Sequence, residues 1–241
     1  MPEVLIAVAH GSKDPRAAAT VAELMALVEE RTRADVRTAY LGHAAPSLSQ
    51  VLSAVDPGQP VTVLPLLLTA AYHSKVDVPR VLARHPHQVS YGATLGPHPL
   101  LLDALERRLA EADAEGAVDR AGTGVVLAAA GSSDPDANST ITRLAARWHR
   151  AGGWHSVLPA YASAASPAPG EAVTALLRAG ARRVVVATYL LAPGFFADRI
   201  HDEALAAGGA AVAPVLGAAP EIADVILERY VAAGSRDQTA A

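Results

Sequence analysis

The chain of 241 residues contains no cysteine. That excludes disulfides, thiolate metal sites and thiol nucleophiles. Aromatic side chains make up only 4% of it. No apolar stretch approaches the roughly 20 residues needed to span a bilayer; the longest strongly apolar run of the second half, residues 184–192, is bounded by Arg183 and Pro193. Positive charge is not in excess either, with 20 Lys and Arg against 24 Asp and Glu. Residues 1–120 hold 11 basic and 14 acidic side chains and the remainder 9 and 10, so neither half is a basic arm. This composition argues against a protein that coats nucleic acid. The N-terminus reaches the apolar run 4–9 with no basic lead and no long h-region, so no signal peptide is expected. A cytoplasmic protein with neither membrane nor nucleic-acid partners is the expectation. For metal chemistry the missing thiols leave histidine and carboxylate, and six of the nine histidines precede residue 100.

Half of the residues are hydrophobic, 51%, enough for one large domain or two small ones, each with a core. Apolar runs of strand length at 4–9, 36–41, 61–68 and 89–91 alternate with helical spacing at 16–31, 47–55, 76–84 and 99–112. Runs such as Val4-Leu5-Ile6-Ala7-Val8-Ala9 are apolar at every position rather than alternating, which suits strands buried on both faces of a parallel sheet. The βαβα order gives an α/β class.

The pattern then starts again. His10-Gly11-Ser12-Lys13-Asp14-Pro15 follows the first strand; Ala130-Gly131-Ser132-Ser133-Asp134-Pro135 follows the strand at 124–129. Leu95-Gly96-Pro97-His98-Pro99 opens the last helix of the first half, and Leu216-Gly217-Ala218-Ala219-Pro220 that of the second. A period near 120 is far too long for a solenoid. The chain reads as a tandem duplication of one α/β unit with a mostly parallel four-stranded sheet flanked by helices. The expected domains are 1–116 and 124–233, with 234–241 a frayed tail. Internal duplication imitates a symmetric homodimer, so a monomer with one site is compatible with it.

His10 sits directly after strand one, His43 two residues after strand two and His73 five residues after the third apolar run. In an open parallel sheet the loops at the carboxyl ends of the strands form the ligand crevice, so three histidines on neighbouring loops there can converge. The repeat supplies an internal control. The second half keeps Gly131, Ser132, Asp134 and Pro135 but carries Ala130 in place of His10, and matching 71–73 to 194–196 sets Phe196 opposite His73. Glycine, serine and the Asp-Pro pair therefore read as architecture: a tight turn, a cap and a first helical residue. The histidines are dispensable for the fold. His85, His87, His149, His155 and His201 read as surface residues, and His98, at a helix start, is given no role. A histidine-phosphatase-like site is poorly supplied, because Ala9 stands where an arginine would precede the histidine and only Arg16 follows. An imidazole cluster without thiols suits a divalent first-row ion such as Fe, Co, Ni or Zn.

Taken together, Ala9-His10-Gly11-Ser12, Leu41 followed by Pro46-Ser47-Leu48, and Leu64-Pro65-Leu66-Leu67-Leu68 leading to His73 and Asp77-Val78-Pro79 resemble the sirohydrochlorin chelatase family, the small class II tetrapyrrole chelatases. The match covers essentially the whole chain, as in long members built from two units with a degenerate second one. The resemblance implies a bilobal α/β fold with a cleft between lobes. It also implies a lyase that inserts Fe²⁺, or next Co²⁺, into a sirohydrochlorin-type macrocycle on the route to siroheme or cobalamin. No permanently bound cofactor is expected; the divalent ion (Fe²⁺, Co²⁺ or Ni²⁺) is a substrate. The family's two active-site histidines map onto His10 and His73, as catalytic groups and metal ligands. Where many members carry glutamate this chain has His43, a third ligand or base. Lys13, Ser12 and Lys75 are candidate donors to the macrocycle carboxylates, with a solvated helix start as the alternative for the lysines. Tyr72, Phe195 or Phe196 can flank a flat ring or pack in a core. A non-catalytic carrier of metal or tetrapyrrole and a metal-dependent hydrolase remain alternatives.

Overall fold

Residues 3–70, 73–85, 89–113 and 119–238 are described in a computed structural model of the chain, with only the backbone described at 73, 74 and 236–238. Every residue of β1 (Val4–Ala9) is buried. Its even-numbered side chains, Val4, Ile6 and Val8, join one core with Leu48, Val51 and Leu52 of α2 (Leu48–Ser53) and Val78 of α3 (Val78–Leu82). Alternation sends Leu5 and Ala7 to the other face. Apolarity at every position thus reflects helices on both sides.

β1 pairs in parallel with β2 (Asp35–Tyr40) and β3 (Val61–Pro65), and β3 with β4 (Val89–Tyr91), in the order β2-β1-β3-β4. The second sheet repeats this with β5 (Thr123–Ala129), β6 (Ser156–Tyr161), β7 (Arg183–Tyr189) and β8 (Ala211–Val212), in the order β6-β5-β7-β8. The expected duplicated α/β architecture is present, and both sheets are parallel throughout. The remaining helices are α1 (Pro15–Glu29), α4 (Pro99–Ala112), α5 (Pro135–Gly152), α6 (Pro169–Arg178), α7 (Phe195–Ala206) and α8 (Pro220–Gln238).

The compact units cut across the expected repeats, 1–116 and 124–233. The compact units are not the linear halves: one comprises Met1–Leu100 with Gly217–Ala241, the other Leu101–Leu216. The last helix of each repeat has changed places. In the first unit, α8 buries Ile222, Ala223, Val225 and Ile226. Its Arg229 donates to the carbonyls of Thr94 (3.0 Å) and Leu95 (3.3 Å), and its Tyr230 hydroxyl donates to Glu3 at 2.7 Å. In the second unit, α4 buries Leu101, Ala104, Leu105 and Leu109. Its Arg108 donates to the Leu216 carbonyl at 2.7 and 3.0 Å. Arg108 and Arg229 are counterparts in the repeat, as are Leu95 and Leu216, so the exchange is reciprocal.

Smaller differences have local causes. The apolar run 61–68 is cut at Pro65, although the Leu66 amide still donates to the Val8 carbonyl at 2.8 Å. The helix expected over 76–84 is shorter, and a π-helical turn, His73–Asp77, precedes it. The tail expected from 234 onward is helical as far as Gln238, because α8 continues there; 239–241 lie outside the described residues.

Candidate functional site

The first sheet reverses direction of growth at β1. The chain moves from β1 to β2 on one side, then crosses to β3 on the other. The carboxyl ends of β1 and β3 therefore flank a topological switch point, where the loops part and leave a crevice. His10 is the first residue beyond β1, and the π-helical turn that His73 opens follows β3.

Backbone contacts bring the first two loops together. The amide of Leu41 donates to the Ala9 carbonyl at 3.0 Å and that of Gly42 to the His10 carbonyl at 3.1 Å, which carries the β1–β2 pairing beyond both strands. Gly11 makes this approach possible. Its φ is +87°, and a Cβ there would stand 1.7 Å from the Gly42 carbonyl oxygen. Gly131 meets the Ser163 oxygen at 1.9 Å in the same way. His43 is the central residue of a tight turn closed by the Ala44 amide on the Gly42 carbonyl at 2.8 Å, with φ +60°. Such a conformation strains a residue with a Cβ. Ala164, its counterpart, holds φ +57°, so the strain belongs to the loop fold and not to imidazole chemistry. Both His10 and His43 are exposed at this edge.

The turn after β1 explains its own sequence. The Ser12 hydroxyl accepts from the Asp14 amide at 3.0 Å, and Asp14 caps α1 by accepting from the Arg16 amide at 2.9 Å. Pro15 then opens the helix. The Arg16 guanidinium grips the same carboxylate at 2.6 Å and, foremost among the causes, holds the Asp14 carboxyl below the usual range. Ser132 and Asp134 repeat the turn, at 3.0 Å, in the second unit. There Asn138 adds a clamp, accepting from the Ser132 amide at 3.0 Å and donating to its carbonyl at 2.7 Å. The first unit has Ala18 at that position, with no amide to offer.

Ser12 and the exposed Lys13 thus share one turn with His10, and the exposed Lys75 lies in the π-helical turn. The side chain of His73 and all of Tyr72 lie outside the described residues. Among the described residues no three His, Asp or Glu side chains are gathered as a metal site. The structure brings His10, Ser12, Lys13, His43 and Lys75, with the His73 backbone, to one edge of one sheet.

Strand register supports the pairing of His73 with Phe196. Val8 faces Pro65 in the first unit and Ala128 faces Thr188 in the second; eight residues on from Pro65 and Thr188 stand His73 and Phe196. Sequence reasoning missed Arg229, which braces the loop after β4 at this same edge. The repeat held a signal for it, the matched Arg108, but no pattern says onto which sheet either helix docks.

The CbiX family model matches residues 4–112 and again residues 124–233. A sirohydrochlorin cobaltochelatase of Priestia megaterium is 29% identical over 204 residues, 81% of this chain; the chain spans just under two thirds, 66%, of that relative's length. A sirohydrochlorin ferrochelatase of the same organism is 27% identical over 209 residues, 83% of this chain and 77% of the relative. Among solved structures, SirB from Bacillus subtilis with Fe³⁺ has the same fold at TM-score 0.81 and 24% identity, over 99% of this chain and 98% of that one. With both repeats matching one model, and that fold spanning nearly the entire length, the chain belongs to the CbiX family.

Proposed function

We propose that this protein inserts a divalent metal ion into sirohydrochlorin, with Fe²⁺ the preferred ion and Co²⁺ next, as a soluble lyase of siroheme or cobalamin synthesis. The observation that carries the reading is the contrast between two copies of one edge. Both keep the tight turns, the positive-φ glycine and the capped helix, and only the first places histidines on them. The relatives named above include both a cobaltochelatase and a ferrochelatase, which supports the reaction class and leaves the ion to be measured.

Insertion exchanges one M²⁺ for two pyrrole protons, so the macrocycle keeps its charge while the ion sheds water. An imidazole titrates near neutrality and can either bind the ion or take a proton, but not both at one nitrogen. In this reading His10 and His73 carry the ion and accept the protons, and His43 is a third ligand or base. The donor set is small, and His10 and His43 are exposed, as suits an ion that is handed on, because a closed four-ligand site would retain it. Ser12, Lys13, Tyr72 and Lys75 then meet the carboxylates and face of the macrocycle.

Anaerobic turnover of sirohydrochlorin with Fe²⁺, Co²⁺ and Ni²⁺, beside His10→Ala and His73→Ala, tests this. Fast insertion by the wild type and a loss of at least about a hundredfold in each variant, the scale of removing a positioned acid or base, is expected. Full insertion by both variants would refute the site. Stoichiometric binding without turnover would make the protein a carrier. A metal that survives dialysis, with no affinity for the macrocycle, would make it a hydrolase.

A further inference from the structure

Helices α1 and α5 are counterparts in the two repeats, and their outer faces carry opposite charge. The Asp14-Pro15 and Asp134-Pro135 pairs that open them fix the correspondence, and the buried stripes agree with it: Val21, Leu24, Met25 and Val28 of α1 answer to Ile141, Leu144, Ala145 and Trp148 of α5. On the side away from the core, Glu23, Glu29 and the C-cap Glu30 are exposed on α1. At the matching positions α5 exposes Arg143, His149 and Arg150. Arg147, also exposed, adds a cation one turn beyond Arg143.

Neither face is neutralised by its own helix. The one base of α1, Arg16, lies in its first turn and is held by Asp14. Arg31 and Arg33 follow the helix, and Arg31 is held by Asp224 of α8 at 2.8 Å. The one acid of α5, Asp136, is likewise confined to the first turn. Arg143 donates to the Ser139 and Thr140 hydroxyls, neutral groups of its own helix, at 3.1 and 3.0 Å. Among the described residues none of Glu23, Glu29, Glu30, Arg143, Arg147 and Arg150 forms an ion pair. A solvated face needs charge but not charge of one sign. Opposite charges one turn apart would stabilise each helix, whereas Arg143 and Arg147 repel each other. Between the charges the faces are shallow, with Ala19, Ala22 and Ala26 exposed on α1 and Ala146 on α5.

We propose that the acidic face of α1 on one molecule docks against the basic face of α5 on another, so that the occupant of each face is a second copy of this chain. The inference does not depend on the reaction. Charge of one sign on both faces would hold two molecules apart, whereas opposite signs at matching helical positions let equally spaced groups meet. A foreign partner would account for one of the two faces; a second copy accounts for both. The contact joins unlike surfaces and is therefore heterologous. The 15 residues of α1 make a face about 22 Å long and about 10 Å wide. One contact then buries on the order of 200 Å² per molecule, against roughly 800 Å² for a stable complex. The association is accordingly weak, fast and sensitive to salt.

Sedimentation of the full-length chain tests this at about 20 and about 500 mM salt, where the screening length is roughly 20 and 4 Å. The mean mass of the wild type should rise with concentration up to about 200 µM at the lower salt and fall to that of one chain at the higher. Glu23→Arg/Glu30→Arg and Arg143→Glu/Arg150→Glu should each associate at least about tenfold more weakly, because both faces then carry one sign. Their equimolar mixture should recover wild-type association within about threefold, since the basic α1 of one variant meets the acidic α5 of the other. The variant with all four changes, which exchanges the residues between the helices and restores the formal charge of −4, should do the same. Thermal melts check that each variant is folded. A wild type that stays monomeric at the lower salt would overturn the inference and leave the basic face to an acidic protein of another kind. Association that survives the higher salt, that persists in both separate variants, or that fails to return on mixing two folded variants would overturn it as well.

Discussion

Glu106 gives the sharpest test of the exchanged helices. It stands on α4, in the first repeat, yet its partners lie beyond that repeat: the Trp148 indole of the second repeat donates to its carboxylate at 2.7 Å, the Trp154 indole at 3.4 Å, and Arg120, between the repeats, at 2.8 Å. Both indoles are buried, at 2% and 5% exposure, and Arg120 also lies 4.5 Å over the Trp154 ring. Glu106→Ala leaves the Trp148 N–H buried without this acceptor, a loss of about 1–3 kcal/mol. The longer Trp154 contact adds less. The ion pair with Arg120 is partly exposed on both sides, 45% and 27%, and is worth at most about 1 kcal/mol after screening. The sum is about 2–3 kcal/mol, roughly a hundredfold in the folding equilibrium. Glu106→Gln keeps an acceptor oxygen and should lose about 1 kcal/mol or less. These are the chain's two tryptophans, so urea unfolding followed by their emission reports on this cluster directly. An alanine variant with unchanged midpoint and emission would mean that α4 packs elsewhere and that the units are the linear halves after all.

Three further outcomes follow from the same geometry. Gly11→Ala forces a Cβ against the Gly42 carbonyl at a φ of +87°, so thermal melts should show a loss on the order of 3 kcal/mol or no fold at all; a variant melting like wild type would show that the two loops do not touch. Ala18→Asn should transplant the Asn138 clamp onto Ser12, keep or raise the melting temperature, and lower kcat/KM for insertion about tenfold by occupying a donor; unchanged turnover would separate Ser12 from the substrate. Burial pushes the Tyr91 hydroxyl up to about 12 and that of Tyr189 further. A raised folded-state value means that the stability these neutral rings supply is whole below the unfolded phenol near pH 10 and is lost as pH rises through the folded value. Urea midpoints measured from pH 9 to 12 should therefore fall above pH 10, and Tyr189→Phe should make the fall shallower; an identical slope would discount Tyr189.

Much of this was legible in the chain because its signals are local. Val4–Ala9 is apolar at every position, and only a strand covered on both faces needs that. The Asp14-Pro15 and Asp134-Pro135 pairs place helix starts to the residue, because a cap and a first-turn proline act within a few atoms of the backbone they serve. The histidine edge was legible because strand ends locate loops, and parallel order puts alternate loops on one edge. The docking of α4 and α8 was not legible. Leu101, Ala104, Leu105 and Leu109 form an apolar stripe that fits the back of either sheet, and its counterpart on α8 descends from the same ancestor. A repeat makes the two destinations equivalent in pattern. What separates them is long-range and specific, such as Glu106 finding two indoles and Tyr230 finding Glu3.

That exchange bears on why a copy without counterparts of His10, His43 and His73 persists. The first unit, which carries His10, His43 and His73, is completed by a helix from the far end of the chain. Without α8, the carbonyls of Thr94 and Leu95 lose the Arg229 guanidinium, Arg31 loses Asp224 at 2.8 Å, and Glu3 loses the Tyr230 hydroxyl. The sheet face that receives Ile222, Val225 and Ile226 would stand open to water. The loop that Arg229 braces lies at the carboxyl edge, beside the one after β3, where the Leu95 amide donates to the Leu67 carbonyl at 2.9 Å. A second repeat that lacks counterparts of His10, His43 and His73 is therefore still held by the structure of the first unit. Its final helix is part of the unit that carries the candidate site, and truncation before Pro220 should abolish the fold of the first sheet even though every candidate ligand precedes residue 80.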